Sequence, residues 1–593
     1  MKKRLLLFFL ILVLIFSTVS TFAFNTSEAN NINPLISVDG QIIDATNYEI
    51  YISEDGTIMY PLRLISEGLG AEVGWEPTKN SASVIDDQDE IWINPNTKVV
   101  TVNGVEKKLD YPIEFKESRI YVTYEFISEI LGARFEINAD TKAISLQKPS
   151  VNTESLELTA SQQNTKDALV SYLTSLELHR NFSGQILVAK DNQVLIDRSY
   201  GYSDYENHIK AFNTTTFAIG SVTKQFTAAA IIQLAEDNML SYDDKVSKYF
   251  SEVSYGDEIT IHQLLTHTSG LYNYTMMLPE FAGMDISELT FEKIISLIQD
   301  KPLDFEPGKG WNYSNTGYLI LGEIVEQVSG ETLEKYLQDN IFIPLGMENT
   351  GVAFKLEDKL VEANGYSGNM DVVLDTADSL LLNVAYGAGF LHSTAQDLYK
   401  WNRALHEGKI VSTDGLVKMY GKSPDMELLA PYGYGLMFNY SEEYGEEIFH
   451  GGNTIGFTSE NAIFTDENTQ IIILTNKGYA DLTSIKYNIA SILKGNVVAP
   501  LGELTYITVS EEQLSKYTGT YEIKDLLVID IFVKDGKLML QGEGQPAIEL
   551  EPLSETKYES SSFGIAIEFD SKDTPKEFIL YQAGQQFTAQ LLE

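Results

Sequence analysis

The run of apolar and polar positions divides the chain into segments of different character. Leu5 to Phe16 is an unbroken apolar run behind a basic head of Lys2, Lys3 and Arg4, and Thr21-Phe22-Ala23 supplies a small-residue exit. This order reads as a secretory signal over 1–23, cut after Ala23. Twelve apolar residues are short for a membrane span. Residues 34–146 hold an internal repeat: "IMYPLRLISEGLGAEVGW" from Ile58 returns as "IYVTYEFISEILGARFEI" from Ile120, 62 residues on. Each copy predicts strand, short helix, glycine stop and strand, with Leu62, Ile65 and Leu69 at helical spacing and Gly70 at the left-handed end. Two copies predict a pseudo-symmetric α+β module. Over 147–166 the periodicity lapses and Ser, Thr, Asn and Gln dominate, as in a linker.

Residues 167–500 open on "SGQILVAKDNQVLIDRSYG", a hairpin around Asp191-Asn192. Helical segments follow, and strands return at Tyr432 to Tyr440, Glu446 to Gly452 and Ser459 to Asn476. Strands at both ends with helices between predict one antiparallel sheet closed by the two ends of the region and packed with helices. Residues 505–593 alternate apolar and polar positions between turn signals such as Lys534-Asp535-Gly536-Lys537, which predicts a small all-β barrel.

Composition narrows the functional classes. A chain of 593 residues with 44% hydrophobic content sustains several cores. It has no cysteine, which excludes disulfides and a lipid-anchoring cysteine at the signal exit. Without the signal, 39 basic residues face 85 acidic ones, a net of about −46. Such a field repels nucleic acid and anionic lipid heads. No stretch after the signal is long and apolar enough to cross a membrane. No His or Cys precedes His179, and His262 and His267 do not form His-Glu-x-x-His, so neither a metal nor another cofactor is expected. "GYSGN" at Gly365 to Asn369 misses the Gly-x-Ser-x-Gly elbow.

Chemistry concentrates in "GSVTKQFTAAAIIQLA", Gly220 to Ala235. On a helix, Ser221 and Lys224 share a face. A serine hydroxyl needs a base to become a nucleophile, and a lysine held among apolar side chains loses part of its preference for charge. The free N–H groups of a first helical turn favour developing negative charge. Taken alone, Ser-x-x-Lys is a weak signal, because serine is a common helix cap. It has company in Tyr313-Ser314-Asn315 of "WNYSNTGY" and in His450-Gly451-Gly452 of "FHGGNTIGF".

Ser-x-x-Lys, then Tyr-x-Asn, then a strand carrying His-Gly-Gly resembles the class C β-lactamase and penicillin-binding serine hydrolase family. "LLTHTSGL" from Leu264, "GAGFLHSTAQDLYKW" from Gly387 and "YGYGLMF" also look like that family. The resemblance implies a β-lactamase/transpeptidase-like α/β fold in which Ser221 forms an acyl-enzyme. Lys224 and Tyr313 would share the general-base role, adjacent cations favouring a Tyr313 phenolate. Asn315 would orient Lys224 and touch the substrate amide. The backbone N–H groups of Ser221 and Asn453 would form the oxyanion hole. Many β-lactamases carry Lys-Thr-Gly where this chain has His450-Gly451-Gly452. His-x-Gly is more usual in esterase and D-amino-acid peptidase branches, and Gly451 and Gly452 would leave the backbone open to substrate. His267 reads as structural. Residues 34–146 resemble the N-terminal domain of copper amine oxidases, with no copper implied here, and the last domain resembles β-barrel-like modules that follow such hydrolases. The expected function is an exported serine hydrolase acting on an ester or D-amino-acid amide or peptide, with peptidoglycan as a possible contact. The alternatives are a non-catalytic peptidoglycan-binding protein and a true β-lactamase.

Overall fold

A computed structural model describes residues 31–593 apart from 33–34, 139–142, 148–157, 278–287, 356–357, 360–361, 367–383, 422–431, 479, 525, 544–546, 561–564, 583–584 and 593. The predicted signal and residues 148–157 of the predicted linker lie outside the described residues. The chain forms two compact units. The smaller comprises residues up to Gln88, Ile93–Lys98 and Leu109–Lys148; the larger comprises Asp89–Trp92, Val99–Lys108 and Pro149–Glu593.

In the smaller unit each repeat copy folds as its pattern predicts. The first gives β1 (Ile58–Pro61), α1 (Leu62–Gly68) and β2 (Glu72–Glu76), and the second gives β3 (Arg119–Val122), α2 (Tyr124–Glu129) and β4 (Arg134–Ile137). Gly70 and Gly132 end the helices at φ +88° and +65°. β1 and β3 pair antiparallel with Tyr60 opposite Val122. These two residues hold the same position in the two copies, so a local two-fold axis passes through that pair.

The main stretch of the larger unit opens on α3 (Ala160–Arg180), which starts inside the segment read as linker. Thr159 and Gln162 form a reciprocal capping box that satisfies the first free N–H groups. Leu169, Tyr172, Leu173 and Leu176 bury one stripe, while the polar residues that masked the helix in the sequence, Ser161 to Lys166, occupy its first turns, exposed or half-buried. A six-stranded sheet then forms from β5 (Gly184–Lys190) and β6 (Gln193–Tyr200) with four later strands. Asp191 and Asn192 both adopt positive φ, the two-residue turn that matches strand twist. Between the strand groups come α4 (Thr223–Glu236), α5 (Asn315–Ser329) and α6 (Ala395–His406). The sheet is completed by β7 (Met437–Ser441), β8 (Gly445–Thr454), β9 (Phe457–Phe464) and β10 (Thr469–Thr475), and α7 (Leu482–Leu493) follows.

The strand order is β6-β5-β10-β9-β8-β7, antiparallel throughout, so the first hairpin of the region pairs with its last strand. Alternation buries both faces. Leu187 and Ala189 join the core built by α4, α5 and α6, and Ile186 and Val188 join the one built by α3 and α7. The chain ends in a closed barrel of eight strands, Gly519–Ile523 to Gln585–Leu591, sealed by Tyr521 against Leu591. Its largely aliphatic core holds an aromatic cluster: Tyr517 stacks on Phe569 at 4.3 Å, with Tyr521, Tyr558 and Phe578 around them. No helix among the described residues is long and apolar enough to cross a membrane.

The β5–β10 contact fixes the sheet, and it depends on Gly184. At φ +154° a Cβ there would lie 1.9 Å from the Leu474 carbonyl oxygen. Gly184→Ala is expected to destabilise the larger unit by about 3 kcal/mol through overpacking, read as a fall in the urea midpoint.

Candidate active site

The chain enters α4 through a tight turn. Gly220, at φ +49°, redirects the backbone, and Gly220–Val222 form a single 3-10 turn before α4 begins at Thr223. Ser221 therefore stands just ahead of the α-helix rather than in its first turn, as the spacing alone had placed it. The i, i+3 relation to Lys224 survives, because 3-10 and α turns both bring those positions together. Ser221 is half-buried and Lys224 is 0% exposed. Lys224 Nζ lies 3.0 Å from Ser221 Oγ and donates to Asn315 Oδ1 at 2.8 Å and to the Ala388 carbonyl at 2.7 Å.

The Tyr313-Ser314-Asn315 segment arrives at the start of α5 and is fixed by the loops beside it. The Ser314 N–H donates to His267 Nδ1 at 3.2 Å, and the Asn315 N–H donates to Asn273 Oδ1 at 3.1 Å. Asn315 Nδ2 donates to Thr275 Oγ1 at 3.3 Å, which sets the amide so that its oxygen faces Lys224. The Tyr313 ring packs on His267 at 4.3 Å and lies 4.9 Å from Lys224 Nζ. His267 thus holds the tyrosine segment in place.

The third predicted motif lies on β8. Gly452 has no room for a side chain: a Cβ would sit 2.0 Å from the Ile219 carbonyl oxygen. Protein, rather than an open path for substrate, occupies that space, which corrects the expectation for this glycine. Gly451 is freer, with Glu460 Oε2 at 3.3 Å from its Cβ position. The close approach at Gly452 brings exposed Asn453 alongside the Ser221 turn, its backbone nitrogen 3.2 Å from where a Cβ on Gly220 would stand. Among the described residues β7 covers the outer edge of β8 only as far as Phe449, so His450–Thr454 presents an open strand edge here. His450 Nδ1 lies 2.6 Å from the Gly451 carbonyl and Nε2 lies 2.9 Å from the Tyr432 hydroxyl. A carbonyl only accepts, so Nδ1 carries the proton and Nε2 accepts from Tyr432.

Burial sets the electrostatics. It holds the Lys224 pKa well below the ordinary lysine value. Burial also pushes the Tyr313 phenol up, and the Ser221 hydroxyl opposes this only in part. These directions run against the expected phenolate: the neighbouring amine is itself depressed, and burial favours the protonated phenol. Burial, with Lys224 nearby, lowers His450 to about 3. His267 falls well below its usual value, again chiefly by burial. Among the described residues no cluster of three or more His, Asp or Glu could hold a metal. Three contributors escaped the sequence reading. Thr275 gave no local signal. Ala388 and Tyr432 lie within motifs that stood out, without any indication that a backbone carbonyl and a phenol would be what they supply.

The Beta-lactamase family model matches residues 175–494, more than half of the chain. The chain belongs to the beta-lactamase family. It is a serine hydrolase of that family, and residues 37–146 match the copper amine oxidase N-terminal domain. Penicillin-binding protein 4* of Bacillus subtilis (strain 168) is 28% identical over 457 residues, covering 72% of this chain and 98% of that protein. The putative penicillin-binding protein PbpX of the same organism is 32% identical over 292 residues, 48% of this chain and 71% of its own. The teichoic acid D-alanine hydrolase of Staphylococcus aureus (strain NCTC 8325 / PS 47) is 27% identical over 338 residues, covering 56% of this chain and 80% of the relative.

The buried imidazoles of this family member should stay neutral across the physiological range. In a proton NMR titration the ring signals of His450 and His267 are expected to hold still between pH 5 and 8. Movement of the His450 signal within that window would contradict the burial argument.

Proposed function

We propose that the protein is an exported serine hydrolase that forms an acyl-enzyme on Ser221 with an ester or a D-amino-acid amide or peptide. The observation that carries the reading is the hydrogen-bond set of Lys224. A neutral amine has two N–H donors and one lone pair. Asn315 Oδ1 and the Ala388 carbonyl can only accept, so they take both donors. The lone pair is left toward Ser221 Oγ at 3.0 Å. Lys224 then takes the Ser221 proton as Oγ attacks the substrate carbonyl. Negative charge develops on the carbonyl oxygen, and the N–H groups of Ser221 and Asn453 are its donors in this reading, worth ~3 kcal/mol each.

Tyr313, still a phenol and beside Lys224, suits the opposite task. It delivers a proton to the leaving group and is resupplied from Lys224, which restores the neutral amine. Water repeats the cycle on the acyl-enzyme. Asn315 holds one Lys224 donor, and its Nδ2, now on Thr275, is available to a substrate amide oxygen. His450 works uncharged, through Tyr432, as part of the wall. An ester or D-amino-acid amide is favoured over a β-lactam because the strand offers neither the ammonium nor the hydroxyl of Lys-Thr-Gly at His450 and Gly451. The name of the teichoic acid D-alanine hydrolase supports D-alanyl esters as one substrate class. The signal-like N-terminus and the repeat unit support action outside the membrane at the wall, with the repeat and barrel domains as spacers or wall contacts.

A panel of p-nitrophenyl esters, D-alanyl peptides and nitrocefin tests this reading. Wild type is expected to turn over the first or second class and to be tagged on Ser221 by a fluorophosphonate. Ser221→Ala should lose turnover by at least ~10³-fold while keeping its melting temperature. Folded wild type that hydrolyses none of the panel and takes up no tag would sink the proposal, and dominant nitrocefin turnover would favour the β-lactamase alternative. The pH dependence has a fixed sign. Lys224 must be neutral to act, so kcat/KM rises with pH through the depressed lysine pKa. His450 contributes no limb between pH 5 and 8, and His450→Gln should leave the shape of that profile unchanged.

A further inference from the structure

The Ala388 carbonyl reaches Lys224 from a turn that is itself under restraint. Tyr386 has φ +40°, in the left-handed region that is costly for an aromatic residue. Its ring presses on Gly322 of α5, where a Cβ would lie 2.6 Å from the ring edge. Its hydroxyl donates to Glu326 Oε1, one turn along the same helix, and that oxygen also accepts the Leu333 N–H at 2.8 Å. Two carbonyls leave this turn toward α4. Gly387 accepts from Thr227 Oγ1 at 2.7 Å, and Ala388 accepts from Lys224 Nζ at 2.7 Å.

The peptide that bears the Ala388 oxygen has its N–H, that of Gly389, on the Tyr386 carbonyl at 2.9 Å, so its orientation follows the placement of Tyr386. A buried amine turns about its Cε–Nζ bond unless both donors are held. Asn315 holds one. If the Ala388 oxygen swings, the second donor is released and the lone pair leaves Ser221. We propose that Tyr386 and Glu326 form a clamp that aims the Ala388 carbonyl, and through it the Lys224 lone pair, at Ser221. Both are positioning residues. The inference rests on the reading of Lys224 as the base and adds to it the device that keeps the base aligned.

The test compares Tyr386→Phe, Glu326→Ala and Glu326→Gln in the full chain, using the pre-steady-state burst with a p-nitrophenyl ester. Tyr386→Phe keeps the ring on Gly322 and loses only the hydroxyl. Its acylation rate is expected to fall on the order of tenfold, as misalignment of a reacting group costs, with KM within about twofold of wild type. The midpoint of its acid limb should move as the lysine environment changes. Glu326→Ala should behave in the same way. Glu326→Gln keeps an oxygen for both donors and should restore acylation to within about threefold of wild type, with an unmoved limb. Thermal unfolding of each variant separates lost protein from lost alignment. Tyr386→Phe acylating at the wild-type rate with an unmoved limb would overturn the clamp alone, and so would Glu326→Gln falling as far as Glu326→Ala. A wild type that forms no acyl-enzyme on Ser221 would overturn the functional reading and the clamp together.

Discussion

The site depends on one buried amine with three neighbours. Placing Lys224 out of water is costly, and the cost is least when the amine sheds its proton. The same desolvation that would make an unpaired lysine a defect favours the uncharged amine here. Two carbonyl oxygens, one from a side chain and one from the backbone, then use its donors and leave one direction for its lone pair. Burial decides the protonation state and hydrogen bonding decides the aim.

Much of the larger unit serves to keep those neighbours in place. The sheet brings β8 so close to Ile219 that position 452 admits no side chain, and this contact sets Asn453 beside the Ser221 turn. On the other side, His267 and Asn273 hold the backbone of the Tyr313–Asn315 segment by its N–H groups. Behind α4, Gln225 receives Trp401 Nε1, and Asn402 and Asn461 exchange amide hydrogen bonds, tying α4, α6 and β9 into one rigid block. Ser221, Tyr313 and Asn453 belong to segments remote in sequence, and they share a site because these polar links leave the elements little freedom to slide.

His450 shows how context rewrites a residue's role. On its own a histidine near a nucleophile invites a charge-based account. Here it is enclosed, its Nδ1 proton is committed to the Gly451 carbonyl, and its Nε2 accepts from Tyr432. Burial favours its neutral form, and its ring fixes the Tyr432 phenol. Tyr313 follows the same logic in reverse, since burial favours its protonated form where a cation would favour the phenolate.

The amino-acid order alone carried the repeat, the hairpin at Asp191-Asn192, the alternating barrel strands and the three motifs with their residues, because each rests on local periodicity, turn geometry or fixed spacing. It misplaced the start of α3, where a capping box hides among residues that also compose linkers, and it put Ser221 inside the α-helix instead of the turn before it. What chain order could not carry was the identity of partners supplied by backbone atoms and the protonation of buried groups. The Ala388 oxygen has no side-chain signature, and whether Lys224, Tyr313 and His450 are charged depends on how much water the folded chain excludes from them. Both are properties of packing between segments far apart in sequence, so only the tertiary structure decided them.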